Sequence, residues 1–187
     1  MKKYLFIVLI IPTSFTGFNQ KPVDRIAVKG PLTFDNTIFN LAWTSKPTDN
    51  YYIQEYLPNG ENADHFNQML SIFLLAADVK TKDAVQQKID ELEARKKTDP
   101  TCNYKVNQSP DGKEYMVDFV LGESNDKMEV EEFNVYRYKQ VNLSNNKKGI
   151  LVYAYSKRAY DNDITPFLTN LKNDRATFLG IILKNSW

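Results

Sequence analysis

Apolar and polar positions alternate along much of the chain in short stretches that turn residues interrupt. Residues 26–43 show such alternation, broken at Asp35-Asn36, and they predict one or two strands. A further strand is predicted over residues 51–57, beyond a polar loop. The run MLSIFLLAA at residues 69–77 is almost continuously apolar, which is typical of a strand that is buried on both faces.

Two segments carry apolar residues at the spacing of an amphipathic helix. The first is residues 81–98, in which Thr81 is positioned to cap the first turn. One face of this segment carries Val85, Ile89 and Leu92. The second is residues 165–185 at the end of the chain. We therefore predict one helix in the middle of the chain and one at its end.

The remaining pattern predicts two hairpins. Residues 103–107 and 113–121 flank a Ser-Pro-Asp-Gly turn, and residues 129–141 and 149–160 flank a polar loop. Strands, a helix, four strands and a helix follow one another, and this order indicates an α+β fold. We expect a mainly antiparallel sheet flanked by two longer helices and a short helical turn, in a single globular domain over residues 21–187.

The stretch YYIQEYLPNGENADHFNQMLSIFLL, residues 51–75, joins two predicted strands and contains the only histidine. Its Pro-Asn-Gly sequence is typical of a turn, and Asn62 is positioned to cap a short helical turn that follows. Glu61 and His65 would lie four residues apart on that turn and would pair. We interpret the stretch as a structural junction. The alternative is a small hydrolase that uses Glu55, Glu61 and His65.

The element order and the passage YLPNGEN between a strand and a short helix resemble the Mog1/PsbP/DcrB-like fold group. The resemblance covers most of residues 26–185. It implies that the antiparallel sheet is curved and that helices pack on it. The group is functionally diverse and largely non-enzymatic, so the resemblance implies little about activity.

The first 20 residues, MKKYLFIVLIIPTSFTGFNQ, combine two lysines, an apolar run and small or polar residues. This order is typical of a secretory signal peptide, and the apolar run is too short to span a bilayer. We expect cleavage between about Ser14 and Gln20, export to a bacterial periplasm or to the medium, and no stable membrane insertion afterwards. The alternative is a buried first strand.

The charge balance argues against nucleic acid as a partner. The chain has 24 Lys+Arg and 23 Asp+Glu, and loss of residues 1–20 removes two lysines and no acid, which leaves 22 against 23. A chain with no positive excess does not attract nucleic acid or an anionic membrane through its overall field.

Candidate chemistry is sparse. The chain has no G-x-G-x-x-G, P-loop, G-x-S-x-G or H-E-x-x-H motif, and its histidine has no partner at metal-ligand spacing. Cys102 is the only cysteine, so we predict no intramolecular disulfide and a buried thiol, with a nucleophile or an intermolecular link as alternatives. We expect no metal, no cofactor and no enzymatic activity.

The candidate binding residues lie in the predicted hairpin NVYRYKQ…ILVYAYSKR. If the numbers of opposed residues sum to about 291, Tyr138 faces Tyr153 and Tyr136 faces Tyr155. One face then carries these tyrosines and Lys157, surrounded by Arg137 and Arg158. The other face carries the core residues Phe133, Val135, Ile150, Val152 and Ala154. The tyrosines are either covered by a helix or form an open aromatic platform for a sugar, a peptide or a protein.

These features predict an exported, non-enzymatic binding protein whose partner is another protein. One specific version is an immunity-type inhibitor that neutralises a secreted toxin. A second is an accessory subunit of a cell-envelope complex. The small hydrolase described above is the enzymatic alternative.

Overall fold

The computed structural model describes residues 22–125 and 128–184, so the predicted signal peptide lies outside the described residues. The described part forms one eight-stranded sheet with the order β1-β2-β3-β4-β8-β7-β6-β5. The strands and helices are β1 (Leu32–Phe34), β2 (Thr37–Thr48), β3 (Tyr51–Pro58), β4 (Gln68–Leu75), α1 (Thr81–Arg95), β5 (Asn103–Gln108), β6 (Glu114–Asn125), β7 (Met128–Asn142), β8 (Lys148–Tyr160) and α2 (Ile164–Lys184).

The sheet is curved, and every pair of neighbouring strands in the described ranges is antiparallel. Both predicted hairpins form, β5 with β6 and β7 with β8. The apolar run becomes β4, which lies between β3 and β8 in the middle of the sheet. Its apolar side chains join the cores on both faces, Leu70 and Ile72 on one and Leu75 on the other, and this explains why its sequence shows little alternation.

The predicted register of the last hairpin is wrong by one residue. Asn142 pairs with Lys148, so five residues connect β7 to β8, and the amide of Leu143 donates to the carbonyl of Lys147 across that connection. A sum of about 291 would require an even number of connecting residues, whereas this loop has an odd number. Because side chains alternate between faces, a shift of one residue moves every side chain of one strand to the opposite face relative to its partner strand.

The two helices pack against opposite faces of the sheet. On one face, Val85 and Leu92 of α1 join a core with Val117 and Ile150. On the other face, Phe178 of α2 packs into a core that also contains the buried side chains Leu32, Phe34, Tyr56, Ile72, Phe133, Val135 and Tyr155. We call these surfaces the α1 face and the α2 face. Although α2 has 21 residues, no helix in the described ranges is long and apolar enough to span a bilayer.

Two arginines hold α2 on the sheet. The guanidinium of Arg175 donates to both carboxylate oxygens of Asp118 in β6, at 2.6 and 2.7 Å. Nη1 of Arg137 in β7 donates to the carbonyl oxygens of Ile182 and Leu183, at 3.1 Å each. The last carbonyls of a helix have no partner within the helix, and the C-terminal end of its dipole favours a cation. Arg137 therefore caps α2.

The predicted helical turn after Asn62 is wrong, because residues 61–67 form an irregular loop. The Asn62 side chain does accept hydrogen bonds from the amides of Asp64 and His65. Glu61 then accepts from the amides of Asn67 and Gln68, which directs the chain into β4 rather than into a helix. The predicted pair of Glu61 and His65 fails for the same reason.

The predicted cap of the first helix is also wrong. Residue Lys80 occupies the N-cap position without a side-chain hydrogen bond, and Thr81 is the first residue of α1. Thr81 is buried there. The predicted burial of Cys102 is confirmed, since its free thiol lies in the core beneath α1.

Candidate functional site

The four tyrosines of the predicted platform do not share a face. Tyr136 opposes Ala154 and Tyr138 opposes Val152 on the α1 face, whereas Tyr153 and Tyr155 point to the α2 face, opposite Arg137 and Val135. The Tyr155 ring is fully buried and stacks on Phe34 with centroids 4.1 Å apart. Its hydroxyl donates to Gln68 at 3.0 Å. The platform prediction is therefore wrong as a single surface, because it depended on the shifted register.

The basic residues predicted around the platform make contacts within the protein. Arg137 caps α2 and pairs with Glu114 at 2.6 Å. The ammonium group of Lys157 lies 5.1 Å from the ring centroid of Phe178 on the α2 face. Arg158 forms an ion pair with Glu132 and lies 4.0 Å above the ring of Phe66. These three cations contribute to folding contacts, and none of them surrounds a tyrosine cluster.

A groove remains between α1 and the sheet. The helix makes its main contacts with β6 and β7, so it leaves the α1 face of β3, β4 and β8 partly uncovered. The resulting cavity has a volume of about 530 Å³. Its apolar lining consists of Tyr51, Phe73, Leu75, Val79, Ala84, Tyr136, Tyr138, Ile150 and Val152. We call this cavity the α1 groove.

Aromatic rings form the inner wall of the α1 groove. The ring of Tyr136 lies 5.8 Å from that of Phe73 and 5.0 Å from that of Phe119, measured between centroids. Lys88 of α1 places its ammonium group 5.5 Å from the Tyr136 centroid and 2.6 Å from a carboxylate oxygen of Glu91. Burial raises the pKa of Tyr136, so its phenol stays neutral and hydrogen-bonds without charge.

Glu55 lies on the same face as this wall. It opposes Ser71 of β4, which opposes Ala154 of β8, which in turn opposes Tyr136. Ser71 and Ala154 are small and buried, and they lie between Glu55 and Tyr136 on this face. Burial raises the pKa of Glu55 to about 7, against the effect of Arg158 and with a further contribution from Glu132.

A buried polar network runs beside Glu55 along β7 and β8. Ser156 donates to the side-chain oxygen of Asn134 at 2.6 Å, and Asn134 donates to Glu132 at 2.8 Å. Glu132 then pairs with Arg158. Buried polar groups need such partners, so this network accounts for the polar residues on an otherwise apolar face.

The three residues of the predicted hydrolase have different environments. Glu61 is engaged by two backbone amides of the loop, and His65 is exposed and stacks on Tyr160 with centroids 4.1 Å apart. Glu55 is affected by the charges of Arg158 and Glu132. Within the described residues, no group of three or more His, Cys, Asp or Glu side chains is arranged to hold a metal ion.

Sequence reasoning missed most of the groove. Tyr51 and Phe73 lie on strands that were predicted correctly, but their shared face depends on the pairing of β3 with β4 and β8. Ala84 lines the groove next to the predicted apolar stripe of α1. The signal in the sequence was that α1 presents the small residue Ala84 where the facing strands carry aromatic residues, a combination that leaves a gap between the helix and the sheet.

No curated protein and no solved structure matches the chain. A protein-family model matches residues 26–187, which include all the strands and both helices. The chain therefore belongs to the family that this model describes.

Proposed function

We propose that the chain is an exported, non-enzymatic binding protein and that the α1 groove is its binding site. The observation that carries this proposal is a half-open cavity of about 530 Å³ with mostly apolar walls. Ligand sites in proteins have this size and this composition, with a few polar groups that fix orientation. The proposal moves the binding site from the predicted tyrosine platform to the α1 face, which carries two of the four predicted tyrosines, Tyr136 and Tyr138.

Filling the groove tests the proposal. Ala84 lines the groove, whereas Ala94 lies on the same helix and is exposed. The neutral dye N-phenyl-1-naphthylamine becomes fluorescent in apolar sites and can be titrated into each variant. We expect saturable binding by the wild type and by Ala94→Trp, and at least about tenfold weaker binding by Ala84→Trp, because an indole ring would occupy the space. Equal binding by the two variants would contradict the proposal.

The protein partner remains part of the proposal. An immunity-type inhibitor would insert an apolar side chain of a toxin into the groove, and an accessory subunit would do the same with a component of an envelope complex. A toxin gene next to the gene of this chain would favour the first version, and an operon for an envelope complex would favour the second. Membership of the Mog1/PsbP/DcrB-like fold group is likewise a proposal, which rests on element order and the YLPNGEN passage.

One observation favours an enzyme as the second candidate. A carboxyl group with a pKa of about 7, such as Glu55, exchanges its proton at neutral pH and is suited to general acid–base catalysis. The candidate hydrolase would then depend on Glu55 alone, because Glu61 accepts hydrogen bonds from two backbone amides and His65 stacks on Tyr160. A hydrolytic activity that Glu55→Gln abolishes without lowering the melting temperature would support this candidate, and unchanged turnover would exclude it.

A further inference from the structure

The charged residues around the α1 groove have a negative excess. Among the described residues, the charged side chains that line the groove are Asp78, Asp83, Glu91, Lys80 and Lys88. Glu55 lies outside this lining on the same face of the sheet, and the charges of Arg158 and Glu132 act on it. Lys88 pairs with Glu91 and Arg158 pairs with Glu132. The negative charges outside these pairs belong to Glu55, Asp78 and Asp83, and the positive charge outside them belongs to Lys80.

Glu55 is the acid of this set that projects from the floor of the sheet next to the aromatic wall. It has no hydrogen bond or ion pair with a residue of the described ranges. It is half-buried, and its diagonal neighbour on β4 is Phe73, a wall residue. Its charge also acts on Tyr136, which lies on the same face with β4 and β8 between the two residues.

We propose that the α1 groove binds a small amphipathic molecule with an alkyl or aromatic body and one cationic amine. The body lies between α1 and the sheet, and the ammonium group reaches past the ring of Phe73 to the Glu55 carboxylate at the edge of the groove. This inference rests on the proposed function, since it names the ligand class of the same groove, and the amine would take the place that a partner's apolar side chain would occupy.

Three physical arguments select this class. An ammonium group and a carboxylate form a charge-assisted hydrogen bond, which is stronger than a neutral one. Aromatic faces attract a cation, as the position of Lys88 over Tyr136 illustrates. Burial raises the pKa of Glu55 although Arg158 opposes the rise, so the charged form of Glu55 is disfavoured. A bound cation would favour that charged form, and a bound anion would disfavour it further.

Three probes that differ only in their polar end test the ligand class. They are 4-phenylbutylamine, 4-phenylbutanol and 4-phenylbutyrate, titrated by calorimetry at pH 8, where Glu55 is mostly ionised. The variants are Glu55→Gln and, as the matched control, Glu123→Gln at an exposed acid of β6. We expect the wild type and the control to bind the amine about tenfold more tightly than the alcohol. In Glu55→Gln the amine should bind no better than the alcohol, with alcohol binding unchanged.

The outcomes separate this inference from the proposed function. Binding of the naphthylamine dye without a preference for the amine would overturn the ligand class and leave the groove as a binding site. A preference for the amine that survives in Glu55→Gln would also overturn the assignment. Failure of both the dye and the amine to bind with a dissociation constant below about 1 mM would contradict both proposals.

Discussion

At the scale of single residues, burial disfavours the charged forms of two carboxyl groups. Burial raises the pKa of Glu55 to about 7 and also raises the pKa of Glu131. One carboxyl oxygen of Glu131 is buried without a hydrogen-bond partner among the described residues. Burial opposes the ionisation of Asp99 as well, but hydrogen bonds from Gly122, Thr101 and Arg95 outweigh it and lower its pKa. Asp99 has enough hydrogen bonds to offset its burial, whereas the single hydrogen bond that Glu131 makes with Thr101 does not offset the burial of Glu131.

The first prediction is that Glu55→Gln stabilises the protein at alkaline pH. An acid whose pKa is higher in the folded state than the ordinary 4.5 binds more protons when folded, so the free energy of unfolding falls as pH rises from about 4.5 to about 7. Arg158, Glu132 and Tyr136 surround this group, and none of them changes in the variant. We expect a gain of about 1–2 kcal/mol at pH 8 and almost none at pH 4.

Thermal or urea unfolding at both pH values measures this difference. Glu123→Gln, which removes an exposed acid from β6, is the control for the loss of one negative charge. A gain that is equal at pH 4 and pH 8 would contradict the raised pKa.

The second prediction concerns the close packing at Gly122. A Cβ atom at this position would lie 2.7 Å from an oxygen of Glu131 and 3.3 Å from an oxygen of Asp99. We expect Gly122→Ala to destabilise the protein by about 1–3 kcal/mol, because the acids and their hydrogen bonds must shift. Gly180→Ala in α2 is the matched control, since a Cβ atom at Gly180 would meet no atom within 4 Å other than its chain neighbours and the backbone of its own helix. Gly180→Ala should stabilise the protein by about 0.5–1 kcal/mol, because alanine favours the helix over glycine. If Gly180→Ala lowered the free energy of unfolding as much as Gly122→Ala, the packing argument would be contradicted.

At the scale of elements, the sequence predicted most strands and both helices but not which side chains share a face. Alternation over β7 and β8 identified the hairpin but not its register, and the numbers of opposed residues sum to 290 rather than to the predicted 291. That shift of one residue divided the four tyrosines between two faces. Arg137 illustrates the same limit, because its role as the cap of α2 depends on where that helix ends against the sheet.

The third prediction tests how α2 is held on the sheet. Asp118 is buried, and its carboxylate is bound by both donors of Arg175. Arg175→Met removes these donors and leaves the charge buried, so we expect a loss of about 3 kcal/mol in the free energy of unfolding. The double variant Asp118→Leu/Arg175→Met should regain most of that loss, since no unpaired charge remains.

The exposed Lys172 on the same helix provides the control. Lys172→Met should change the stability by less than about 0.5 kcal/mol. If Arg175→Met were no more destabilising than this control, the ion pair would not anchor the helix.

At the scale of the whole molecule, the groove results from two layers that match imperfectly. The helix α1 covers β6 and β7, and the wide sheet extends beyond it. An α+β fold with an antiparallel sheet followed from the order of elements, whereas the position of α1 across the sheet did not, because it is set by contacts such as Val85 and Leu92 with Val117. These contacts join residues that are distant in sequence, and no local pattern encodes them.

The last prediction is that residues 1–20 direct export and are then removed. The first strand begins at Leu32 and the family match begins at residue 26, so cleavage would remove none of the described elements. In a Gram-negative host we expect the protein in the periplasm, with an N-terminus between about residues 15 and 21 by mass spectrometry.

Leu9→Arg should retain the full-length chain in the cytoplasm, because a charge in the centre of an apolar segment costs about 2.5–3.5 kcal/mol on insertion. Lys2→Arg preserves the charge and should be processed normally. Uncleaved wild-type protein in the cytoplasm would contradict export and, with it, every partner that is found only outside the cell.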